Sequence, residues 1–314
     1  MTTYILRRVL QAVPVLLVVS VVVFILMRLI PGDPALSLMG MEATEEQLVA
    51  VRHAWGLDQP LYIQYLYWMR HMLTGDLGES YFSRMSVSML ISQKFPATVE
   101  LTFISMTLAL LIGIPAGIIA AVKRNSLVDY LTTTVVLFGI SFPDFWLGIL
   151  LILLFALTLG WLPPLGHVAF GENPLQNLRY VILPSATLGL ILASPIMRFL
   201  RSGMLDVLSE EYIRVARAKG LKESAVLVRH ALKNAAIPTV TLVGVQVASL
   251  LGGTAIVETV FAWPGVGWLL VNAVVQRDYA VIQALVMMMA GLFVLINLLV
   301  DVLYAALDPR IRFH

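Results

Sequence analysis

The 314-residue chain contains no cysteine, which excludes disulfides and thiolate chemistry. Charge is scarce as well: Asp, Glu, Lys and Arg make up 13% of the residues against 59% hydrophobic, whereas a soluble domain carries about a quarter charged residues. A chain so poor in charge cannot cover itself with a water-compatible surface, so a soluble fold is excluded. The net charge of +2 is too small to point to nucleic acid. No Gly-x-x-x-x-Gly-Lys-Ser/Thr phosphate loop, no His-Glu-x-x-His and no Gly-x-Ser-x-Gly occurs. The histidines, His53, His71, His167, His230 and His314, are scattered without ligand spacing. An enzyme reading therefore has little to stand on, and no catalytic or metal-ligating residue is assigned.

What the chain has instead is long apolar runs. Crossing the roughly 30 Å hydrocarbon core takes about 20 mainly apolar residues as helix, and six stretches qualify: 9–30, 99–122, 131–158, 180–200, 237–258 and 281–306. The expected fold is an all-α polytopic membrane protein with six transmembrane helices and both termini on one side. The first stretch lacks a small-residue cleavage site and is expected to be a retained anchor. Of the 21 Lys and Arg residues, 14 fall on one face: Arg7, Arg8, Lys123, Arg124, Arg198, Arg201, six within 209–236, and Arg310 and Arg312. The positive-inside rule makes that face, and both termini, cytoplasmic.

The segment 31–96 is then an extracytoplasmic insert, long enough for a small helical subdomain. Thr44 followed by Glu45, Glu46 and Gln47 forms a capping box that starts one helix, and Trp55-Gly56 stops it. A second helix, 61–73, carries Tyr62, Tyr65, Tyr67 and Trp68, aromatics suited to a membrane–water interface. In the second span Gly113 and Gly117 make a small-xxx-small pattern for close helix approach. In the third, Phe142-Pro143-Asp144 predicts a kink near the middle. An acid at that depth must face a protein interior or a wet cavity, so Asp144 is either a pathway residue or a structurally paired carboxylate. Glu258 to Gly267, rich in Pro, Gly and aromatics including Trp263, predicts an irregular segment dipping back toward the membrane. A local salt bridge is expected between Asp308 and Arg310.

Residues 209–238 form a charged island in this apolar chain. Ser209 is the expected N-cap of a first helix, with Glu210 and Glu211 in its first turn and Gly220 as its C-cap. A second helix is expected from Lys222 to Asn234. Two short helices joined by a glycine bury little by themselves, so one face should lie on the membrane helices and leave the other free. Residue chemistry alone leaves two readings open: a loop whose charges only fix topology, or a docking surface.

The island resembles the cytoplasmic loop of binding-protein-dependent ABC importer permeases, whose pattern is Glu-Ala-Ala, three residues, Gly, and a later Ile-x-Leu-Pro. Gly220 stands at the glycine and Ala216 at the second alanine, while Arg214 and Val215 replace Glu and the first Ala. The close is Ala235-Ala-Ile-Pro238 at a longer spacing. These departures resemble the dipeptide/oligopeptide/nickel branch, as do Arg28-Leu-Ile-Pro-Gly-Asp-Pro34, Gly56-Leu-Asp-Gln-Pro60, Gly75-Asp-Leu-Gly78, Glu258 through Gly267, Arg277-Asp-Tyr279 and Asp308-Pro-Arg310. The order of these motifs is that of a first permease subunit, with residues 1–314 forming a single ABC transporter transmembrane domain.

The resemblance implies a heterodimer with a second, homologous permease in a bacterial plasma (inner) membrane, two cytoplasmic ATPase subunits and an extracytoplasmic substrate-binding protein. It implies no cofactor in this chain, ATP and Mg being held by the partner ATPases. The coupling loop is 209–236, with Glu211, Tyr212, Arg214, Ala216, Arg217, Ala218, Lys219, Gly220 and Leu221 as the residues facing the ATPase. Asp144, Glu258, Phe142 and Trp263 are the expected translocation-pathway residues. The expected cargo is a di- or oligopeptide, with nickel complexes, glutathione or other small solutes as the alternative. A stand-alone channel or secondary transporter is the competing class, against which the chain shows no convincing internal repeat.

Overall fold

The computed structural model describes residues 2–29, 44–54 and 56–307; the expected Asp308–Arg310 salt bridge and the Pro31–Pro34 motif lie outside them. Among the described residues the regular elements are helices, apart from an isolated bridge between Glu79 and Ser86. The first helix, α1 (Thr2–Leu29), keeps Leu10, Leu17, Val18 and Ile25 exposed and buries Ser20, Val23 and Phe24. Such a long exposed apolar face is stable only against lipid or another protein.

Two short helices follow, α2 (Glu45–Ala54) and α3 (Leu61–Leu73). The capping box forms as the sequence predicts: the Thr44 amide donates to Gln47 Oε1 at 3.0 Å and the Gln47 amide to Thr44 Oγ1 at 3.4 Å. Tyr65 and Trp68 of α3 fold onto α1, where Tyr65 Oη meets Ser20 Oγ at 2.8 Å and Phe24 packs edge-on to Tyr65, while Tyr62 and Tyr67 stay exposed.

The centre of the molecule is a pair of long helices, α4 (Val87–Val122) and α7 (Pro174–Leu208). Both exceed their predicted spans because polar turns extend each helix beyond its apolar run. They pack in parallel, and the two glycines of α4 set the distance. A Cβ on Gly113 would lie 2.9 Å from the Ala193 carbonyl oxygen, and one on Gly117 3.0 Å from that of Met197.

Between them, α5 (Leu127–Ile140) and α6 (Asp144–Thr158) meet at 97°, a far sharper turn than the predicted kink. Around this corner Phe138 meets Phe142 edge-to-face at 4.7 Å, and Phe142 stacks on Trp146 at 4.5 Å. From Ile152 to Thr158 the backbone of α6 is π-helical. Ser194 Oγ donates to the Val136 carbonyl and ties α5 to α7.

The chain then forms α8 (Glu211–Ala218) and α9 (Glu223–Ala235), followed by α10 (Ile237–Leu251). The predicted fifth span stops at Leu251 rather than 258, since Gly252 and Gly253 break the helix, the latter with φ +99°. Two short helices, α11 (Ala255–Val260) and α12 (Val266–Gln276), lead to α13 (Tyr279–Leu307). Arg8 pairs with Asp301 at 3.1 Å where α1 meets α13.

Among the described residues four helices, over 6–29, 87–122, 174–208 and 279–302, are long and apolar enough to cross a membrane. The α5–α6 and α9–α10 pairs pass the same test if each bent pair is one crossing. One core cluster joins Leu101, Met106, Val181, Ile196, Val257 and Trp263, and a second joins Val87, Val266, Val281 and Leu285.

Candidate functional site

The residues the sequence singles out lie at three levels along α4 and α7: the basic end, the middle of α7 where α5 ends, and the far end. At the basic end, Ser209 closes α7, its Oγ donating to the Asp206 carbonyl at 2.7 Å. The expected N-cap is therefore displaced by one residue: Glu210 precedes α8, with no side-chain cap. Gly220 adopts φ +76°, which is strained for residues with a Cβ, and the chain reverses there into α9. α9 contains a π-helical stretch, Val226–Leu232, that brings both Val226 and Ala231 to the buried side.

Ile213 and Ala216 of α8, with Val226, Ala231 and Ala235 of α9, pack on Leu200 and Met204 of α7 and Ala121 of α4. The seat is close: a Cβ on Gly203 would lie 2.6 Å from the Ala235 carbonyl oxygen. Asn234 Nδ2 donates to Tyr212 Oη at 2.9 Å, a second tie between the two helices. Arg217 and Glu223 clamp the bend, with Nε to Oε2 at 3.1 Å and Nη2 to Oε1 at 2.7 Å. Hydrogen bonding within this pair holds the Glu223 carboxyl below the usual carboxylate range and raises the Arg217 guanidinium.

The remaining face is open. Glu211, Tyr212, Arg214, Ala218, Lys219, Gly220 and Leu221 are exposed, and Val215 is 51% exposed between them. Of the nine predicted coupling residues only Ala216 is buried. The result is a platform that exposes two apolar side chains, Val215 and Leu221, together with the basic Arg214, Lys219 and Lys222.

The four predicted pathway residues separate into two pairs, one beside the middle of α7 and one toward the far end of α4. Phe142 and Asp144 lie at the α5–α6 corner and are partly accessible; Asp144 Oδ1 accepts the Phe145 amide at 2.8 Å. Glu258 and Trp263, by contrast, have no accessible surface. Glu258 accepts Thr98 Oγ1–H at 2.9 Å and the Trp268 amide at 2.7 Å. Thr98 Oγ1 itself accepts the Val266 amide at 2.8 Å, and Trp263 Nε1 donates to the Ala97 carbonyl at 2.9 Å. Ala97 and Thr98 of α4 thus hold the whole 258–268 turn, whose buried backbone amides find their acceptors in side chains. Gly265 is required there, because a Cβ would collide with the Glu258 carboxylate.

Three polar groupings escape sequence reasoning. Asp129 of α5 takes a bidentate contact from Arg201 of α7, at 3.0 and 2.7 Å. Glu100 Oε1 accepts Asn177 Nδ2 at 2.5 Å, and its Oε2 lies 3.7 Å from His167 Nε2, whose ring stands edge-on to Trp263. Asp278 accepts Ser80 Oγ–H at 2.5 Å and fastens the loop before α4 to the start of α13. A charged residue at the end of an apolar run implies a counter-charge, and this signal marks Arg201 without naming its partner.

Residues 113–313 match the family described as the binding-protein-dependent transport system inner membrane component. Residues 1–102 match its N-terminal counterpart. The chain belongs to this family. Among curated relatives, the glutathione transport system permease protein GsiC of Salmonella typhimurium strain LT2 is 49% identical over 313 residues, covering 100% of both chains. The protein of the same description from Escherichia coli strain K12 is 47% identical over the same coverage. Among solved structures, the inward-facing MetNI methionine ABC transporter matches with a TM-score of 0.59 at 19% identity, covering 70% of this chain and 97% of that one. It supports the fold alone.

As a binding-protein-dependent permease, the chain is a multi-pass inner-membrane subunit of an ABC importer, of the dipeptide/oligopeptide/nickel branch. ATP hydrolysis belongs to separate subunits of such systems. The α8–α9 platform carries Gly220 and Ala216, the residues that match the family's loop pattern.

Proposed function

We propose that this permease forms half of the translocation pathway of an importer for short peptides, with glutathione as the first candidate cargo. The observation that carries the reading is the full-length similarity, at 49% identity, to relatives described as glutathione transport system permeases. A tripeptide such as glutathione belongs to the peptide class that the sequence motifs favour. The other half is a second, homologous permease, and the solute arrives from an extracytoplasmic binding protein.

The basic face is cytoplasmic in this proposal, with both termini on it. Two ATPase subunits carry the ATP and Mg, and this chain holds no cofactor. One ATPase docks on the open face of α8 and α9 at Glu211, Tyr212, Arg214, Ala218, Lys219, Gly220 and Leu221, while buried Ala216 and paired Arg217 keep the platform in shape. Beside the middle of α7, Phe142 and Asp144 face the pathway at the corner they form. Glu258 and Trp263 contribute by shaping the turn beside it.

The test is uptake by the reconstituted transporter with its cognate binding protein, comparing radiolabelled glutathione with a dipeptide and a nickel chelate. Saturable, ATP-dependent glutathione uptake is expected. Uptake of the nickel chelate alone would overturn the peptide reading, and uptake without ATP or the ATPase subunits would overturn the coupling reading.

A further inference from the structure

The far end of α1 carries a second cavity with no part in the transport scheme above. A groove of about 740 Å³ opens between the last turns of α1 and the helices α2 and α3, a volume within the roughly 300–1,000 Å³ range of small-ligand pockets. Val21, Ile25 and Leu29 form one apolar wall and Leu61, Tyr62 and Tyr65 the other. Ile25, Leu29, Leu61 and Tyr62 remain between 49% and 71% exposed, so these walls meet no apolar partner among the described residues.

Its depth identifies the medium. Tyr65 Oη meets Ser20 Oγ at 2.8 Å, nine residues before the end of α1, which is about 14 Å along the helix axis. α3 therefore lies beside the last turns of the apolar run of α1, at the depth where one leaflet of a bilayer would meet its headgroups. Tyr62 and Tyr65 suit that interfacial level.

At its rim the groove carries positive charge. Arg28, partly buried, stands 5.2 Å over the Phe24 ring and within electrostatic reach of the Tyr81 hydroxyl, and it forms none of the ion pairs found among the described residues. Arg52, on the same rim, is already matched by Glu45 at 3.1 Å. A cation at headgroup depth above an apolar trough complements a molecule with an anionic head and a hydrocarbon tail.

We propose that this groove binds one anionic phospholipid, its phosphate on Arg28 and an acyl chain along Ile25 and Val21. The lipid ties α1 to the α2–α3 pair. The proposal is independent of which solute is transported.

The experiment uses the complete transporter in nanodiscs of phosphatidylcholine with or without phosphatidylglycerol, with retained lipid counted by native mass spectrometry after delipidation. Wild type is expected to keep phosphatidylglycerol, R28Q about fivefold less and R28K nearly as much. I25W, which fills the trough and leaves Arg28 in place, is expected to lose it too, so the outcome does not rest on one variant. Excess inorganic phosphate should not displace the lipid. Equal retention by wild type, R28Q and I25W, equal retention of phosphatidylcholine, or displacement by free phosphate would each overturn the proposal.

Discussion

Arg217 and Glu223 grip each other across Gly220, with Nη2 and Oε1 2.7 Å apart, so that α8 and α9 are fastened at the bend from which the open platform projects. The pair is exposed on both sides, and its role is geometric rather than a main source of stability.

If Arg217 acts within the loop, the charge swap R217E/E223R restores the clamp. Transport-coupled ATP hydrolysis is then expected near wild type in the swap and reduced several-fold in R217E alone. A swap as defective as the single variant would mean that Arg217 meets the ATPase directly. R214E, whose side chain lies on the open face, is expected to weaken ATPase co-purification, and G220P to uncouple hydrolysis from uptake.

The clamp also has a pH signature. Because the Glu223 carboxyl is depressed in the folded loop, its contribution is complete above the ordinary carboxylate pKa and is lost as pH falls through the lower folded value. Coupling should therefore not vary with this group between about pH 6 and 8. Nuclear magnetic resonance of the labelled Glu223 carboxyl should show a titration midpoint below that of R217Q.

Replacing Glu258 by Ala strips the Thr98 hydroxyl and the Trp268 amide of a buried acceptor. Each orphaned group costs about 1–3 kcal/mol, so a lower unfolding temperature and poor assembly are expected. G265A should cost about 1–3 kcal/mol by overpacking. Normal thermal stability in both would remove the turn-holding role.

Asp129 keeps 4% of its side-chain surface accessible and Arg201 30%. D129N retains the shape but loses the charge-assisted pair, worth about 1.5–3 kcal/mol. R201K keeps the charge and loses the fork. Both are expected to lower the unfolding temperature, with D129N the more damaging.

For Asp144, D144N is expected to slow uptake of peptides with a free amine more than that of N-acetylated ones. Unchanged rate and affinity for both would take the residue out of the pathway.

Local signals carry the small helices. Thr44 and Gln47 fix the start of α2, and Pro60 sits immediately before α3, because caps act within one turn. The corner at Phe142-Pro143-Asp144 is legible only as a kink, since its 97° angle depends on the seating of α5 against Ser194 of α7. Glu258 is harder still. A lone acid in an apolar run looks alike whether it faces water or protein, and its partner Thr98 is 160 residues away. Asp129 and Arg201, 72 residues apart, pose the same difficulty. The face of α8 is legible only in part: Arg214, Arg217 and Lys219 read as solvent-facing and Ile213 and Ala216 as buried, but the apolar character of Tyr212 and Val215 puts them on the buried face too, and the structure leaves both exposed.

The contacts of Gly113 and Gly117 with α7 lie beside Pro195, where that helix lacks a backbone donor and is softest. With α4 clamped against this joint, neither helix can tilt alone, and the two work as one lever. A tilt of 10° about the middle of α7, roughly 52 Å long, would carry each end about 4–5 Å. If the platform is the coupling surface proposed above, a push there would be delivered to Ala97 and Thr98, and through them to the turn they hold at the opposite end of α4.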